Sequence, residues 1–330
     1  MKKIHFILLS LLLFILSCQK HETPVNDLEK ETLADNADPK ICLSQEILNR
    51  EIASDPGRAK FLADLEEKTK LYDGRVQGNA RGAGILYLPV VIHVLLTDTT
   101  LIPNSQITSQ LQVLNKDYNK LNAELANTSV YLAGYAFNKV ANCQIQFYVA
   151  NIVRVKTTVI EFPMDNSMKS SATGGSDPVD PATKLNIWVC NTLNNISWAQ
   201  FPGGPLLTDG VVIDYAVFGT NNSYYIGRIA THEIGHWLNL RHIWGDSQCG
   251  DDMVQDTPKH SGPSSGCPAV GIKSTCGGKP LLMWMNYMDY SFGTCEYMFT
   301  DGQKNRMDAT IDNARHTYFS TTKTYTDILP

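Results

Sequence analysis

Apolar residues along the chain form continuous runs in some places and helical spacings in others, which predicts strands and helices in turn. Residues 85–96 are apolar almost throughout, which is typical of a central strand buried on both faces. His93 interrupts this run, and we expect it to be a buried structural histidine and not a ligand. Three further strands are predicted at residues 145–155, 185–193 and 211–218.

Residues 104–125 carry apolar side chains at three- and four-residue spacing, which predicts one long helix. Two shorter helices are predicted earlier, one around residue 48 and one that begins at Pro56 with Asp55 as its cap. A closing helix is predicted from Asp301 onward. The inward-facing residues of these helices are expected to include Ile47, Leu48, Ile52, Phe61, Leu62, Leu65, Ile107, Leu111, Leu114, Tyr118 and Leu121. Together these elements predict an α+β fold, with a mixed sheet and helices packed behind it.

The amino terminus has the pattern of an export signal. Lys2 and Lys3 precede an apolar run, residues 4–16, which is too short to span a bilayer as a helix. The residues before Cys18 resemble a bacterial lipobox, which predicts a signal peptide of residues 1–17 and lipidation of Cys18. The alternative is an ordinary signal peptide with an incidental cysteine. On the first interpretation the acyl chains are the protein's one contact with a membrane.

Composition narrows the class of protein. The chain has 330 residues, of which 43% are hydrophobic, so it can bury a sizeable core. Its net charge of -5 gives no indication of a nucleic-acid partner. Eight cysteines in an exported protein predict disulfides, and setting Cys18 aside leaves an odd number, so at least one has another role.

The most informative stretch is IGRIATHEIGHWLNLRHIWGD, residues 226–246. His232 and His236 are four apart, so on a helix they project from one face and can hold one zinc ion. Glu233 is placed to take a proton from a water that the zinc activates. His242 is the expected third ligand, provided that the chain bends at Asn239, a residue type that tolerates the left-handed conformation. Two histidines alone occur by chance on exposed helices, but the third histidine makes chance a poor explanation.

The stretch HEIGHWLNLRH resembles the zinc signature of the metzincin metallopeptidases. The segments RHIWGD and MNYMDY resemble the pappalysin family of that clan. The zinc signature has one departure from the metzincin pattern, Asn239 in place of glycine. The resemblance implies a metzincin-type zinc protease fold. In such a fold a mixed twisted sheet with backing helices and a zinc helix lie above an irregular lower subdomain that contains disulfides.

The resemblance also implies roles for residues outside the zinc motif. Met288 matches the methionine of a turn beneath the zinc, although a plain core methionine is the alternative. Tyr290 matches a tyrosine that hydrogen-bonds the oxyanion. Strand 211–218 is expected to pair with an extended substrate. The implied disulfides are Cys249–Cys276 and Cys267–Cys295, a zinc ribbon being set aside because the close C-x-x-C pairs are missing. Whether Cys143 pairs with Cys190 stays open.

Two further metal contacts are predicted. Asp251, Asp252, Asp256 and Thr257 form a dense cluster of oxygen ligands that suits structural calcium, which pappalysins bind near this motif; the alternative is an acidic solvated loop. Cys42 resembles a propeptide cysteine that ligates the zinc of some pappalysin zymogens, although Leu43 follows it where that motif usually has glycine. The alternative is a free thiol or a disulfide partner.

These predictions divide the chain into a signal peptide (1–17), a lipidated tether (18–40), a propeptide with a protease-accessible linker (41–84) and a catalytic domain (85–330). The catalytic domain has an upper subdomain, 85–242, and a lower one, 243–330. Cleavage is expected between about residues 74 and 84, near Arg81.

The predicted function is that of a zinc-dependent endopeptidase that hydrolyses peptide bonds of extracellular proteins, with Glu233 as general base. We expect a monomer that acts on proteins or peptides, anchored at the cell surface or released as a mature enzyme. The alternatives are a non-catalytic surface lipoprotein that binds peptides or matrix protein, which the intact Glu233 argues against, and a cell-wall amidase. Some pappalysins favour arginine or lysine just after the scissile bond by means of an acid a few residues beyond the tyrosine that Tyr290 matches. Because residues 292–294 have no acid and Glu296 is the nearest one beyond them, the resemblance does not carry this selectivity over to the present chain.

Overall fold

The computed structural model describes residues 42–73, 84–127, 140–324 and 326–329. The predicted signal peptide, Cys18, the tether and nearly all of the linker around Arg81 lie outside the described residues. The described residues all belong to one compact unit, Pro39–Pro330, so the predicted propeptide helices are part of the same unit as the predicted catalytic domain. Among the described residues no helix is both long enough and apolar enough to cross a membrane.

In the part of the chain that the structure describes, five strands form one mixed sheet in the order β2-β1-β3-β5-β4. Its parallel core pairs β1 with β2 and β3, and β3 with β5, while β4 is antiparallel to β5. The predicted mixed sheet is therefore confirmed, and β1 is buried along nearly its whole length as its apolar run predicts. The strands are β1 (Leu86–Leu96), β2 (Ile145–Lys156), β3 (Leu185–Cys190), β4 (Trp198–Ala199) and β5 (Val211–Asp214).

Helices cover both faces of the sheet because successive strand residues point to opposite sides. One face packs against α3 and α4, through residues such as Ile107 and Ile234. The other face packs against the start of α1, through Leu43 and Ile47. The helices are α1 (Ser44–Ser54), α2 (Pro56–Asp73), α3 (Asn104–Asp117), α4 (Arg228–Trp237) and α5 (Asp301–Ala314).

Two helix predictions were wrong in detail. The helix predicted for residues 104–125 ends at Asp117, and Leu121 is 69% exposed. The chain leaves the helix because Lys120 adopts a positive φ of 55°. In α2 the buried positions include Arg58, Leu65 and Thr69, so Phe61 is at the surface instead of facing inward.

The prediction that strand 211–218 pairs with substrate was also wrong. The strand ends at Asp214, and its two edges are already paired with β3 and β4. The outer strand next to the cleft is β4, whose neighbour Ser197 forms a parallel bridge with Cys42. A substrate that extended this sheet would therefore meet β4, which sequence periodicity did not detect because it has only two residues.

The lower part of the chain contains few regular elements and is held by two disulfides, Cys249–Cys276 and Cys267–Cys295. Both are the pairings that the resemblance implied. Cys143 and Cys190 are free and buried, so the open question of their pairing is answered in the negative. They lie in two different apolar clusters, one on each face of the sheet.

Candidate active site

Helix α4 carries the first two histidines, and all of its residues are buried. It begins after Gly227, whose φ is 83°, and it ends at Trp237, two residues before Asn239, whose φ is 72°. The left-handed Asn239 lets the N–H of Leu240 bond to the carbonyl of Gly235 at 2.9 Å. The chain bends there as predicted, and the bend returns His242 to the face that carries His232 and His236.

The three histidines converge through their Nε2 atoms. His236 Nε2 lies 3.1 Å from His232 Nε2 and 3.1 Å from His242 Nε2. Tetrahedral zinc with bonds of 2.0–2.1 Å would set such atoms about 3.3 Å apart. All three residues are buried, at 2% exposure or less.

The outer nitrogens of the rings fix their tautomers. Nδ1 of His232 donates to the carbonyl of Tyr287 at 2.7 Å, and Nδ1 of His236 donates to that of Leu240 at 2.8 Å. His242 donates likewise to Oδ1 of Asp246 at 2.5 Å. Since a carbonyl oxygen or an ionised carboxylate only accepts, each Nδ1 carries a proton, and in the neutral ring Nε2 then has a free lone pair. Three lone pairs that face one another need a cation between them, so these residues fit a zinc ion.

Met288 lies directly beneath α4. A Cβ atom on Gly235 would come within 2.5 Å of the Met288 sulfur, so any larger residue here would displace the Met288 side chain. Met288 is fully buried in the cluster that also holds Ile234 and Tyr287. The structure thus places Met288 against Gly235 of α4, and the turn role that the resemblance implied stays a prediction.

Glu233 faces the same space as the histidines and is 1% exposed. Its Oε2 accepts a hydrogen bond from the hydroxyl of Ser44 at 2.9 Å, and the Cys42 sulfur lies 3.4 Å from the same oxygen. Cys42 and the three histidines form a group whose ligand atoms are within 4.8 Å of one another. Burial raises the pKa of the Cys42 thiol well above its usual value, and the charge of Glu233 raises it further.

Tyr290 is held by the backbone of Cys42. Its hydroxyl accepts from the Cys42 N–H at 3.2 Å and faces the Cys42 carbonyl at 3.4 Å. Burial raises the pKa of Tyr290 well above 10, so the hydroxyl keeps its proton. Trp244 stacks on the His242 ring, with centroids 4.4 Å apart, and meets the Tyr290 ring edge-on.

The segment around Cys42 lies along the edge of the sheet. The N–H of Leu43 donates to the carbonyl of Ser197 at 3.3 Å, and the N–H of Ala199 donates to the Ser44 hydroxyl at 2.9 Å. Residues 42–44 therefore cross the histidine cluster while they pair with the outermost chain of the sheet. This is the position that an extended peptide would occupy.

The Peptidase_M43 family model, described as pregnancy-associated plasma protein-A, matches residues 176–312. An extracellular metalloprotease of Arthroderma benhamiae is 30% identical over 238 residues, which are 68% of this chain and 77% of that protein. The chain belongs to the Peptidase_M43 family. The pappalysin resemblance is thereby confirmed. A second extracellular metalloprotease of the same organism is 32% identical over 219 residues, 62% of this chain, and the match spans 65% of that relative's length.

Two solved M43 structures from Tannerella forsythia are similar to this one. Mature mirolysin in complex with a cleaved peptide is 40% identical, with a TM-score of 0.65, over 70% of this chain and 93% of that one. A promirolysin mutant is 36% identical, with a TM-score of 0.71, over 84% of this chain and 94% of that one. The match to the precursor form therefore extends over more of this chain than the match to the mature form.

The start of the M43 zinc helix is anchored by a buried ionic network. Arg228 lies 3.3 Å from Asp117 at the end of α3 and 2.9 Å from Glu124. It also donates to the carbonyl of Gly293 at 2.6 Å, and Thr231 donates to Asp117 at 2.8 Å. The network ties α3, α4 and the loop after Tyr290 together. Sequence reasoning missed it because its members are far apart along the chain.

The predicted calcium ligands point to separate partners. Asp252 accepts from Thr257 at 2.9 Å, and Asp251 accepts from the N–H of Met253 at 2.9 Å. Asp256 instead accepts from the Thr300 hydroxyl and the Gly302 N–H, at the start of α5. Among the described residues, the cluster of Cys42 and the three histidines is the one group of His, Cys, Asp or Glu with metal-ligand spacing.

Three other site residues were not predicted from the sequence. Ser44 contacts Glu233 only because the chain of residues 42–44 crosses the cluster. Asp246 orients His242, and the later part of RHIWGD could have indicated it, since metal-binding histidines usually donate to a carboxylate or carbonyl. Trp244 was part of the same quoted motif, but its stacking on His242 depends on the bend at Asn239.

Proposed function

We propose that this protein is a zinc-dependent endopeptidase that cleaves peptide bonds of extracellular proteins. The observation that carries the proposal is the convergence of the Nε2 atoms of His232, His236 and His242 beside the buried carboxylate of Glu233. The relatives are named extracellular metalloproteases, and one solved relative, mature mirolysin, holds a cleaved peptide. A protein that only bound peptides would have no need of a buried carboxylate next to the histidines.

His232, His236 and His242 would hold the zinc, which when bound lowers the pKa of a water molecule and polarises a carbonyl group. Glu233 accepts the proton of the attacking water and then donates it to the leaving amine. The hydroxyl of Tyr290, which keeps its proton, donates a hydrogen bond to the oxyanion of the tetrahedral intermediate. Asp246 and the carbonyls of Tyr287 and Leu240 hold the histidine rings in place by accepting from their Nδ1 atoms.

The described chain is a latent precursor in this proposal. The Cys42 sulfur is the fourth potential ligand of the zinc group, and the Ser44 hydroxyl caps the general base. The backbone N–H of Cys42 also donates a hydrogen bond to the Tyr290 hydroxyl. One short segment thus meets the metal group, the base and the oxyanion donor, and a peptide substrate could not enter beside it.

Helices α1 and α2 hold that segment in the cleft. Arg58 donates to the carbonyls of Phe201 and Pro202, which follow β4. Glu66 forms a bidentate pair with the buried Arg306 of α5, at 3.0 and 2.7 Å. Cleavage between residues 74 and 84 would release residues 42–73, which fits the longer match to promirolysin than to mature mirolysin.

Location and accessory metal are further parts of the proposal. Export by the signal peptide agrees with the extracellular relatives, and Cys18 would anchor the precursor by its acyl chains until cleavage frees the catalytic domain. For calcium, the support is a buried carboxylate: burial raises the pKa of Asp252 to about 7, and a nearby cation would favour its charged form. The loop that carries Asp251, Asp252 and Thr257 is the proposed site.

The test is peptide hydrolysis by purified, cleaved protein with and without a chelator. We expect cleavage of a denatured protein substrate that stops when zinc is removed and returns when zinc is added back, with one zinc per chain by elemental analysis. Protein that binds one zinc and captures peptides but leaves them intact would support the alternative of a peptide-binding surface protein. Protein without zinc after metal-replete refolding would overturn both.

A further inference from the structure

A cavity lies beside the zinc histidines, between α1 and the chain that follows α4. Its volume is about 520 Å³. The predicted catalytic domain supplies Arg241, Trp244, Asp246 and Tyr290 to its walls, and α1 supplies Glu46 among others. His242 also borders it, so this cavity is part of the cleft that residues 42–54 cover.

Arg241 is a half-buried cation in that wall. Within the described residues no carboxylate oxygen lies within 4 Å of its guanidinium, whereas Arg58, Arg228, Arg306 and Arg315 each have such a partner. Taking an arginine partly out of water without a counter-ion is unfavourable. A ligand carboxylate that entered the cavity would therefore be attracted to it.

The acids that face Arg241 are engaged elsewhere. Asp246 accepts from His242, and Asp251 accepts from the N–H of Met253 and pairs with Lys259 at 3.5 Å. Glu66, the remaining acid near Arg241, is held by Arg306. Each of these carboxylates is thus bonded to a group other than Arg241.

Arg306 adds a second positive charge near Arg241, because it is bonded to the backbone two residues earlier, at Asn239. It is 2% exposed, and its Nε atom donates to the carbonyl of Asn239 at 2.7 Å, so it cannot swing away. Its counter-ion, Glu66, belongs to α2. When the segment that contains α1 and α2 leaves, Glu46 and Glu66 leave with it, so this side of the cleft loses two negative charges while Arg241 and Arg306 stay.

We propose that Arg241, backed by Arg306, forms a subsite that selects peptide substrates with an aspartate or glutamate side chain close to the scissile bond. This inference rests on the proposed endopeptidase function and names its substrate class. In the precursor the acids of α1 and α2 stand on this side of the cleft, where the substrate's acid would bind. Trp244 provides an apolar wall for the methylene groups of the entering side chain.

The test uses the cleaved, zinc-loaded enzyme and matched fluorogenic peptides. The two peptides of a pair differ at one residue, which is Glu in one and Gln in the other. This residue is scanned over positions on both sides of the scissile bond. We expect kcat/KM to favour Glu over Gln about tenfold at one position, which corresponds to about 1.4 kcal/mol. The ratio should fall as salt rises from about 0.05 M to about 0.5 M, because exposed charge interactions are screened.

In Arg241→Gln the Glu/Gln ratio should fall towards one, and in Arg241→Glu the enzyme should prefer Lys at that position. The ratio is measured within one preparation, so partial misfolding of a variant does not affect it. Lys156→Gln is the matched control, because it removes an exposed cation at the end of β2, at the far edge of the sheet from β4. It should keep the wild-type ratio.

Equal cleavage of Glu and Gln peptides at every position would overturn the subsite, as would a preference that survives in Arg241→Gln. Either result leaves the proposed function intact, because zinc-dependent cleavage is still seen. Cleavage of no peptide at all, with or without zinc, would instead contradict the endopeptidase proposal and remove the basis of the subsite with it.

Discussion

The hydroxyl of Ser44 donates a hydrogen bond to Oε2 of Glu233 across 2.9 Å, although the two residues are 189 positions apart in the chain. The same hydroxyl accepts from the N–H of Ala199. A water molecule that reacts with substrate must give its proton to Glu233. The Ser44 hydroxyl donates to the carboxylate oxygen that this water would contact, and so takes the place of the water. The proposed latency would therefore rest on the Ser44 hydroxyl at the base, together with the Cys42 thiol towards the metal group and the Cys42 backbone at Tyr290.

Removal of these contacts should activate the uncut precursor in steps. We expect Cys42→Ala and Ser44→Ala each to raise hydrolysis of a small fluorogenic peptide, and the double variant to exceed both. Loss of the Ser44 bond alone should raise it roughly tenfold, since a hydrogen bond to a charged group contributes on the order of 1.5 kcal/mol or more. Intact mass measured during the assay shows that the linker is uncut.

Ser54→Ala is the matched control for that experiment. Ser54 is on the same helix, is exposed and bonds only to the carbonyl of Glu51, so its removal should leave latency unchanged. A double variant as silent as the wild type, with its linker intact, would show that another part of the segment blocks the cleft.

Replacement of Glu233 by Ala should remove most activity of the cleaved enzyme while zinc binding persists. The expected loss in kcat is about 10² to 10⁴-fold, the usual contribution of a general base. The three predicted zinc ligands are all histidines and Glu233 is not among them, so the zinc content should stay near one per chain. Glu161→Gln, a change at an exposed acid, is the control. Turnover within a few-fold of wild type would mean that another group is the base.

The parts of the fold that sequence predicted are those whose signal is local. The apolar run of β1 is buried because both faces of a central strand are covered, and the run itself records that. The spacing of His232 and His236 and the left-handed tendency of Asn239 are likewise contained in a few neighbouring residues. Because these signals are local, the sequence alone predicts that the three histidines converge.

The parts that sequence missed depend on contacts between distant segments. The contact of Ser44 with Glu233 exists because α1 packs on the sheet beside β4. Neither Ser44 nor the two-residue strand β4 has a sequence pattern that predicts this packing. The early end of α3 follows from the backbone of Lys120, which periodicity of side chains does not report. The substrate-pairing strand was misassigned because β4 covers the edge of β5.

Calcium should raise the melting temperature of the precursor by a few degrees. A ligand that binds only the folded chain stabilises it by mass action, and the buried Asp252 gains a counter-ion. The measurement is a melting curve of the inactive Glu233→Ala protein with millimolar calcium, with magnesium, and with neither. Asp252→Asn should abolish the calcium response. Superimposable curves for the three conditions would leave residues 251–257 as an ordinary acidic loop.

His93 should make the protein less stable as the pH falls from about 6.5 to about 4. It is fully buried on β1 and stacks on Trp188. Its Nε2 bonds to Oδ1 of Asn186 at 2.8 Å and its Nδ1 to the Ser176 hydroxyl at 2.9 Å, which fits a neutral ring. Burial lowers its pKa from 6.5 to about 4, although the bond to Asn186 opposes this.

The direction of the effect follows from proton binding. Between these two pKa values the unfolded chain binds a proton at residue 93 and the folded chain does not, so acid favours unfolding. The contribution of His93 is fully present above pH 6.5 and is lost as the pH falls towards 4, a change of about 3 kcal/mol for a shift of this size. Denaturant unfolding of Glu233→Ala protein at several pH values measures it.

His93→Gln, which keeps a donor and an acceptor but cannot titrate, should lose less stability across that pH range than the parent protein. His316→Gln, at an exposed histidine, is the control and should follow the parent curve. His260 is also buried, and burial lowers its pKa as well. Because His260 contributes to the dependence of stability on pH in every variant, the difference between His93→Gln and the parent isolates His93. Parallel curves for the two proteins would show that His93 is protonated in the folded state or does not titrate there.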